Sequence, residues 1–255
     1  IRQGGIEFVR VTDNGKGIDA EQVKTAFFRH ATSKIQSVAD LEHIVSLGFR
    51  GEALSSIAAV SRVELITKTR ESLVGVRYSI EGGKEGTLEE IGAPDGTTVL
   101  VRNLFYNTPV RRKFLKQPVT EAGYIADLME HLALSHPDIS FQYIQNGQVR
   151  FHTSGNGNLK EVIYRIYGKE VSSNLVELKT EASGMAVSGY LGKPVLNRAN
   201  RNFETYFVNG RYIKSSLVAK ALEEGYREYL MQHKYPFVVL KLDFEPGAVD
   251  VNVHP

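Results

Sequence analysis

The stretch "VTDNGKGI", residues 11–18, ends a strand-like apolar alternation (IEFVRV, 6–11) and passes into an acid, an amide and two glycines. Asp-Asn-Gly is common turn punctuation, because Asp and Asn bond their own backbone and Gly adopts positive φ at no steric cost. The same residues suit a second chemistry. A carboxylate buried at a strand end accepts hydrogen bonds and donates none, which fits an exocyclic amine such as that of adenine. Gly15 and Gly17 would keep side chains away from a bound base. On these eight residues alone both readings stand.

Bulk properties narrow the classes. The chain has 255 residues, 42% of them hydrophobic and 24% charged, a normal soluble globular composition with room for two ordinary domains. Thirty-one Lys and Arg against 29 Asp and Glu leave a net charge of +2, which says nothing of nucleic acid unless charge clusters. There is no cysteine, so disulfides and cysteine-based zinc sites are excluded, and none of the seven histidines has ligand-like spacing. No long apolar run or signal pattern occurs, so no membrane association is expected and a cytoplasmic location is. Both ends read as cut: the first residues enter a strand directly, and "VDVNVHP" (249–255) ends on strand-like alternation.

Working outward from the turn, strands are predicted at 63–67 and 97–102, a helix from Leu54, and a longer helix from Thr120 to His136-Pro137. That helix carries Ile125, Leu128, Met129 and Leu132 at helical spacing. The small, polar "TSGNGN" (153–158) is the predicted linker, dividing the chain into domains 1–156 and 157–255. Beyond it come a short helix, further strands, the Asn209-Gly210 hairpin signal and a second helix. A final strand places Val238, Leu240, Leu242 and Phe244 on one face. Helices separating strands able to pair as hairpins give an α+β class.

Three further stretches carry possible chemistry. In "RHATSKI" (29–35), Lys34 reads as a solvated surface lysine, the commoner case, or, with Thr32 and Ser33, as a hydroxyl-and-cation grip on phosphates. In "LGFRGEAL" (47–54), Gly48 and Gly51 permit close backbone approach. The helix beginning near Glu52 directs N–H groups towards an anion, although an ordinary helix entry looks the same. In "DGTTVLV" (95–101), Thr97 or Thr98 could set a hydroxyl beside Asp13, or both could be plain β-formers.

In this order, D-N-G-x-G-I, R-H-A-T-S-K, G-F-R-G-E-A-L and G-T-T-V resemble the ATP-binding signature of the GHKL (Bergerat-fold) ATPases. Within that group, "LGFRGEALSSIAAVS", "NLFYNTPVRRKFLK" and "VDVNVHP" are similar to the mismatch-repair branch, the MutL family. The resemblance covers essentially the whole chain. It implies a Bergerat ATPase sandwich followed by a ribosomal-protein-S5-like α/β domain, with ATP and Mg²⁺ as cofactors. Carried over, Asp13 bonds the adenine amine with support from Thr97, while Gly15, Gly17 and Ile18 line the base pocket. Lys34 lies in the nucleotide lid, with Thr32 and Ser33 beside it as ATP-binding candidates. Gly48, Phe49, Arg50, Gly51, Glu52, Ala53 and Leu54 form the loop and helix start around the phosphates. The family's general-base Glu and Mg²⁺-holding Asn fall upstream of residue 1, and its γ-phosphate lysine falls beyond "NVHP". No catalytic residue and no metal ligand are therefore assigned.

The resemblance also implies an ATP-driven homodimer, DNA bound without strong sequence preference, a MutS-like mismatch-recognition partner and a downstream nuclease or helicase. Arg211, in the matching "VNGR" block, with Arg198, Arg201 and Lys214, forms the candidate DNA-contacting group. Arg111, Arg112, Lys113 and Lys116 are a second basic cluster, readable as a solvated helix face, a phosphate contact or intradomain contacts. A topoisomerase ATPase subunit and a purely DNA-binding module are the competing classes. "NTPVRRKFLK" and "DVNVHP" favour mismatch repair over the topoisomerase. Residues 1–255 alone are predicted to bind nucleotide weakly and hydrolyse almost none. Turnover by that chain, abolished by Glu52→Ala, would reverse this assignment.

Overall fold

The computed structural model describes residues 1–28, 51–182 and 184–245. The chain divides into two compact units, Ile1–Ile125 with Gln145–Gln148, and Ala126–Ile144 with Val149–Pro255. The division falls inside a helix, α4 (Pro118–Ser135), and not in the glycine-rich stretch 153–158. Pro118 begins that helix where its missing N–H costs nothing.

The first unit is built on five antiparallel strands in the order β1-β5-β2-β3-β4. These are β1 (Phe8–Asp13), β2 (Arg62–Lys68), β3 (Gly75–Glu81), β4 (Lys84–Ile91) and β5 (Gly96–Arg102). Strand β2 shows why they form: Val63, Leu65 and Thr67 are buried while Glu64, Ile66 and Lys68 are half-exposed, the period-two pattern of a one-sided sheet. In register, Val63, Leu65 and Thr67 oppose Ile80, Tyr78 and Val76 on β3 and Val101, Val99 and Thr97 on β5. Onto this face pack Val23 of α1 (Ala20–Val23), Phe27, and Leu54, Ile57 and Ala58 of α2 (Ala53–Ala59). Phe27 meets Tyr78 with ring centroids 5.5 Å apart. Helix α3 (Pro109–Lys113) leads from the sheet towards α4.

The second unit has its own mixed five-stranded sheet, in the order β11-β10-β12-β9-β8. Ahead of it come the hairpin β6 (Gln142–Gln145) and β7 (Gln148–His152), absent from the sequence reading, and helix α5 (Leu159–Ser173). The linker-like residues before α5 are its cap: the Asn158 side chain accepts from the Glu161 N–H at 3.1 Å. Strands β8 (Leu175–Ala182), β9 (Met185–Gly192), β10 (Glu204–Val208) and β11 (Arg211–Ile213) follow. Asn209 and Gly210 both take positive φ (45° and 78°), the turn expected from that dipeptide. Helix α6 (Ser216–Gly225), capped by Ser215, precedes β12 (Val238–Phe244). β12 lies between β10, which it joins in parallel, and β9. Val238, Leu240, Leu242 and Phe244 share one face, as the alternation predicts, packed with Val218, Leu222 and Tyr226. The α+β class is thus the observed one.

Leu65 is fully buried in the first core, whereas Leu73 is 99% exposed. Leu65→Ala should cost about 2–5 kcal/mol from lost burial and cavity formation. Leu73→Ala should stay within about 0.5 kcal/mol of the parent. Chemical denaturation followed by circular dichroism measures both. Equal effects would mean that this face is not the core.

Candidate functional site

The end of the first sheet brings three polar side chains into one row. Asp13 on β1 is paired with Thr97 on β5, and Thr97 is paired with Thr67 on β2. Because side chains alternate across a sheet, all three lie on the face that carries the hydrophobic core. This separates the two threonines left open by sequence. Thr97 stands beside Asp13, while Thr98 pairs with Thr12 and bonds its hydroxyl at 3.0 Å on the opposite face.

The backbone around the row is fixed by close approach. Gly17 has φ of 75° and Gly96 has φ of 108°, both positive. A methyl group at Gly17 would overlap the Lys68 carbonyl, and one at Gly96 would overlap the Asp13 carbonyl. The turn after Asp13 is closed by its own carboxylate, whose Oδ1 accepts from the Gly15 N–H at 2.9 Å. Ile18 packs against the core and donates its N–H to Thr67 Oγ1 at 2.9 Å. Behind the turn, Lys68 Nζ pairs with Asp95 Oδ1 at 2.6 Å and donates to the carbonyls of Ser72 and Thr69 at 3.1 and 3.3 Å. This ties the loop 69–72 to the residues preceding β5.

One expectation needs correcting: Asp13 is exposed, not buried. Among the described residues β1 is the edge strand of its sheet, paired along its length with β5, and Val11 on the same face is 61% exposed. Thr97 is half-buried and Thr67 only 1% exposed, so burial deepens along the row away from Asp13.

Thr67 was missed by the sequence reading. Its signal is parity: in R-V-E-L-I-T-K it occupies the phase of Val63 and Leu65, and a polar residue in a buried phase needs a partner. Its hydroxyl has three: the Ile18 N–H, the Gly96 carbonyl at 3.0 Å and the Thr97 hydroxyl at 3.1 Å.

At the entry of α2, Gly51 has φ of 66°, and Glu52 and Ala53 are both exposed. Leu54 is a packing residue against the core. Thr32, Ser33, Lys34, Gly48, Phe49 and Arg50 lie outside the described residues.

In the second unit the four candidate DNA-contacting residues do not form one group. Arg201 makes a two-pronged pair with Glu223, which raises its pKa, and stacks over Tyr235 at 4.8 Å. Arg198 stacks over Phe203 at 4.8 Å. Arg201 precedes β10, whereas Arg211 opposes Val208 at the strand's far end. Five strand residues separate them by roughly 15 Å at about 3.3 Å per residue. Lys214 is exposed and Arg211 half-exposed. The hairpin carrying them is anchored by Tyr212, stacked on His131 of α4 at 3.7 Å. It is also anchored by Asn209 Oδ1, which accepts from the Phe244 N–H at 2.8 Å. Burial lowers the His131 pKa, favouring neutral imidazole against the ring. Arg111, Arg112 and Lys113 sit exposed at the end of α3, where a helix favours positive charge, and make no ion pair among the described residues.

Residues 163–255 match the family model "DNA mismatch repair protein, C-terminal domain". The chain is 61% identical, over its whole length, to the DNA mismatch repair protein MutL of Agathobacter rectalis, of which it covers 39%. Among solved structures it is similar to the Aquifex aeolicus MutL ATPase domain complexed with ADP. The TM-score there is 0.69 at 27% identity, over 94% of this chain and 81% of that one. It is also similar to the N-terminal domain of a DNA repair protein, with a TM-score of 0.82 at 25% identity, over 100% and 79% of the two chains. The chain spans about two-fifths of the length of the curated relatives it matches. With identity of this order along all 255 residues and the fold of a MutL ATPase domain in both units, the chain belongs to the MutL family of DNA mismatch repair proteins.

Proposed function

We propose that this chain is the nucleotide-binding switch of a mismatch-repair protein. The single observation that carries the reading is the in-register row Asp13, Thr97, Thr67, flanked by two glycines that admit no side chain. Asp13 Oδ2 accepts no bond among the described residues, so a carboxylate oxygen is available to an amine donor. The ADP complex of a similar ATPase domain supports an adenine nucleotide as the ligand. Asp13 takes the amine, Thr97 supports it, Gly15, Gly17 and Ile18 line the base, and the start of α2 from Gly51 to Leu54 faces the phosphates. Thr32, Ser33, Lys34, Gly48, Phe49 and Arg50 complete the phosphate side in this reading.

ATP binding then drives dimerisation, and hydrolysis resets the switch. The division into an ATPase domain, 1–156, and a transducer domain, 157–255, belongs to the same proposal. So do a MutS-like partner, a downstream nuclease or helicase, and a cytoplasmic site of action. No helix among the described residues is long and apolar enough to cross a membrane. Mg²⁺ would neutralise phosphate charge, but the described residues hold no cluster of three or more carboxylates or imidazoles suited to it. No step is routed through the metal.

Asp13→Asn replaces an acceptor-only group with one presenting N–H protons to the amine. Losing a hydrogen bond to a charged group costs about 1.5–3 kcal/mol, or roughly 10- to 150-fold in ATP affinity. Calorimetric titration of the complete protein checks this, and unchanged affinity would remove Asp13 from the pocket.

For DNA, Arg211→Glu should weaken binding and flatten the dependence of affinity on salt. Removing one cation from a phosphate lowers the log–log slope by about 0.9. Arg201→Glu should instead disturb stability, since that guanidinium is held by Glu223 and Tyr235. Fluorescence anisotropy over a salt series, with thermal melting alongside, distinguishes them. An unchanged slope for Arg211→Glu would take it out of the interface.

A further inference from the structure

We infer that Thr67, buried behind Thr97, sets the hydrogen-bond polarity of the candidate base site by fixing where the Thr97 proton points. The inference rests on the reading of this site as an adenine-nucleotide pocket and adds a positioning residue to it.

A threonine hydroxyl has one proton and two lone pairs. Thr67 Oγ1 has three partners: the Ile18 N–H at 2.9 Å, the Gly96 carbonyl at 3.0 Å and Thr97 Oγ1 at 3.1 Å. The amide can only donate and the carbonyl can only accept. Thr67 therefore accepts from Ile18 and spends its one proton on Gly96. The contact with Thr97 forms only if Thr97 is the donor, filling the second lone pair of Thr67. Every capacity of the Thr67 hydroxyl is then used. With Thr67 1% exposed and its proton and both lone pairs taken by protein groups, no capacity is left for another arrangement.

The consequence lies at the half-buried Thr97. Its proton is turned inward, so towards the pocket it offers lone pairs only. Across the strand pair, on the same face, stands Asp13, whose carboxylate likewise only accepts. Two acceptors side by side favour an exocyclic amine with its two N–H protons. They give nothing to a base edge that only accepts. Were Thr67 apolar, the Thr97 proton would be free to swing outward, and the edge would lose its single polarity.

The test compares ATP with purine riboside 5′-triphosphate, which lacks the amine at C6, as ligands for the complete protein. Wild type should prefer ATP. Thr67→Val should weaken ATP about tenfold, the scale of one net hydrogen bond, while moving the unsubstituted nucleotide by less than about twofold. Thr67→Ser, which keeps the hydroxyl, should restore the preference. Equal loss for both nucleotides in Thr67→Val would show that Thr67 merely holds the loop, and would overturn the inference. If Thr67→Val does not fold, Thr97→Val carries the test. A loss selective for ATP supports the inference, and a loss shared equally overturns it. If wild type binds neither nucleotide, the nucleotide reading itself falls, and this inference with it.

Discussion

The first unit is organised by close contact between backbones at the end of its sheet. A side chain at Gly17 would overlap the Lys68 carbonyl, and one at Gly96 would overlap the Asp13 carbonyl. These two contacts press the turn after β1 onto β2, and the entry of β5 onto β1. Everything polar at the site follows from that pressure. With the turn held down, the Ile18 N–H reaches Thr67, and Thr67 reaches both Gly96 and Thr97. The Lys68–Asp95 pair closes the same junction from behind. A positive φ is required at both glycines, so the constraint is written into residue type and does not depend on any ligand.

Much of this was legible because sheets carry a period of two. The alternation in R-V-E-L-I-T-K identifies β2, its buried face and, by parity, the anomaly of Thr67. Asp-Asn-Gly and Asn-Gly identify their turns because few residues tolerate the φ values involved. Register is a different kind of fact. Nothing local to Thr97 and Thr98 says which of them faces Asp13; strand pairing alone decides it. The exposure of Asp13 depends likewise on β1 being an edge strand, and strand order is set by the whole sheet.

The basic residues show the same limit from the side of charge. In sequence, Arg198, Arg201, Arg211 and Lys214 are four like charges close together. In the fold, Arg201 is held by Glu223, twenty-two positions away, and by the ring of Tyr235. Arg198 lies over Phe203. Those two act as cross-links near the start of β10, while Arg211 opens β11 and Lys214 follows it. A guanidinium paired with a carboxylate in two-pronged geometry is a poor competitor for phosphate, because binding DNA would first strand the acid. Clustering in sequence measures opportunity, and the partner of each charge is a tertiary property.

Thr67 and Glu204 show how satisfaction of polar groups separates a device from a cost. Both are buried polar residues on strands. Thr67 uses every lone pair and its proton. Glu204 accepts from Tyr206 at 2.6 Å through one carboxylate oxygen, while the other, Oε1, has no partner among the described residues. Burial accordingly pushes its carboxyl above the usual range, towards the protonated form. A hydroxyl whose three bonds admit one proton arrangement transmits that arrangement to its neighbour. A carboxyl with an open oxygen can take a proton or leave it, and so dictates nothing beyond itself. That difference, and not burial as such, is why the row at the sheet end can carry directional information from the core to Thr97, the neighbour of Asp13.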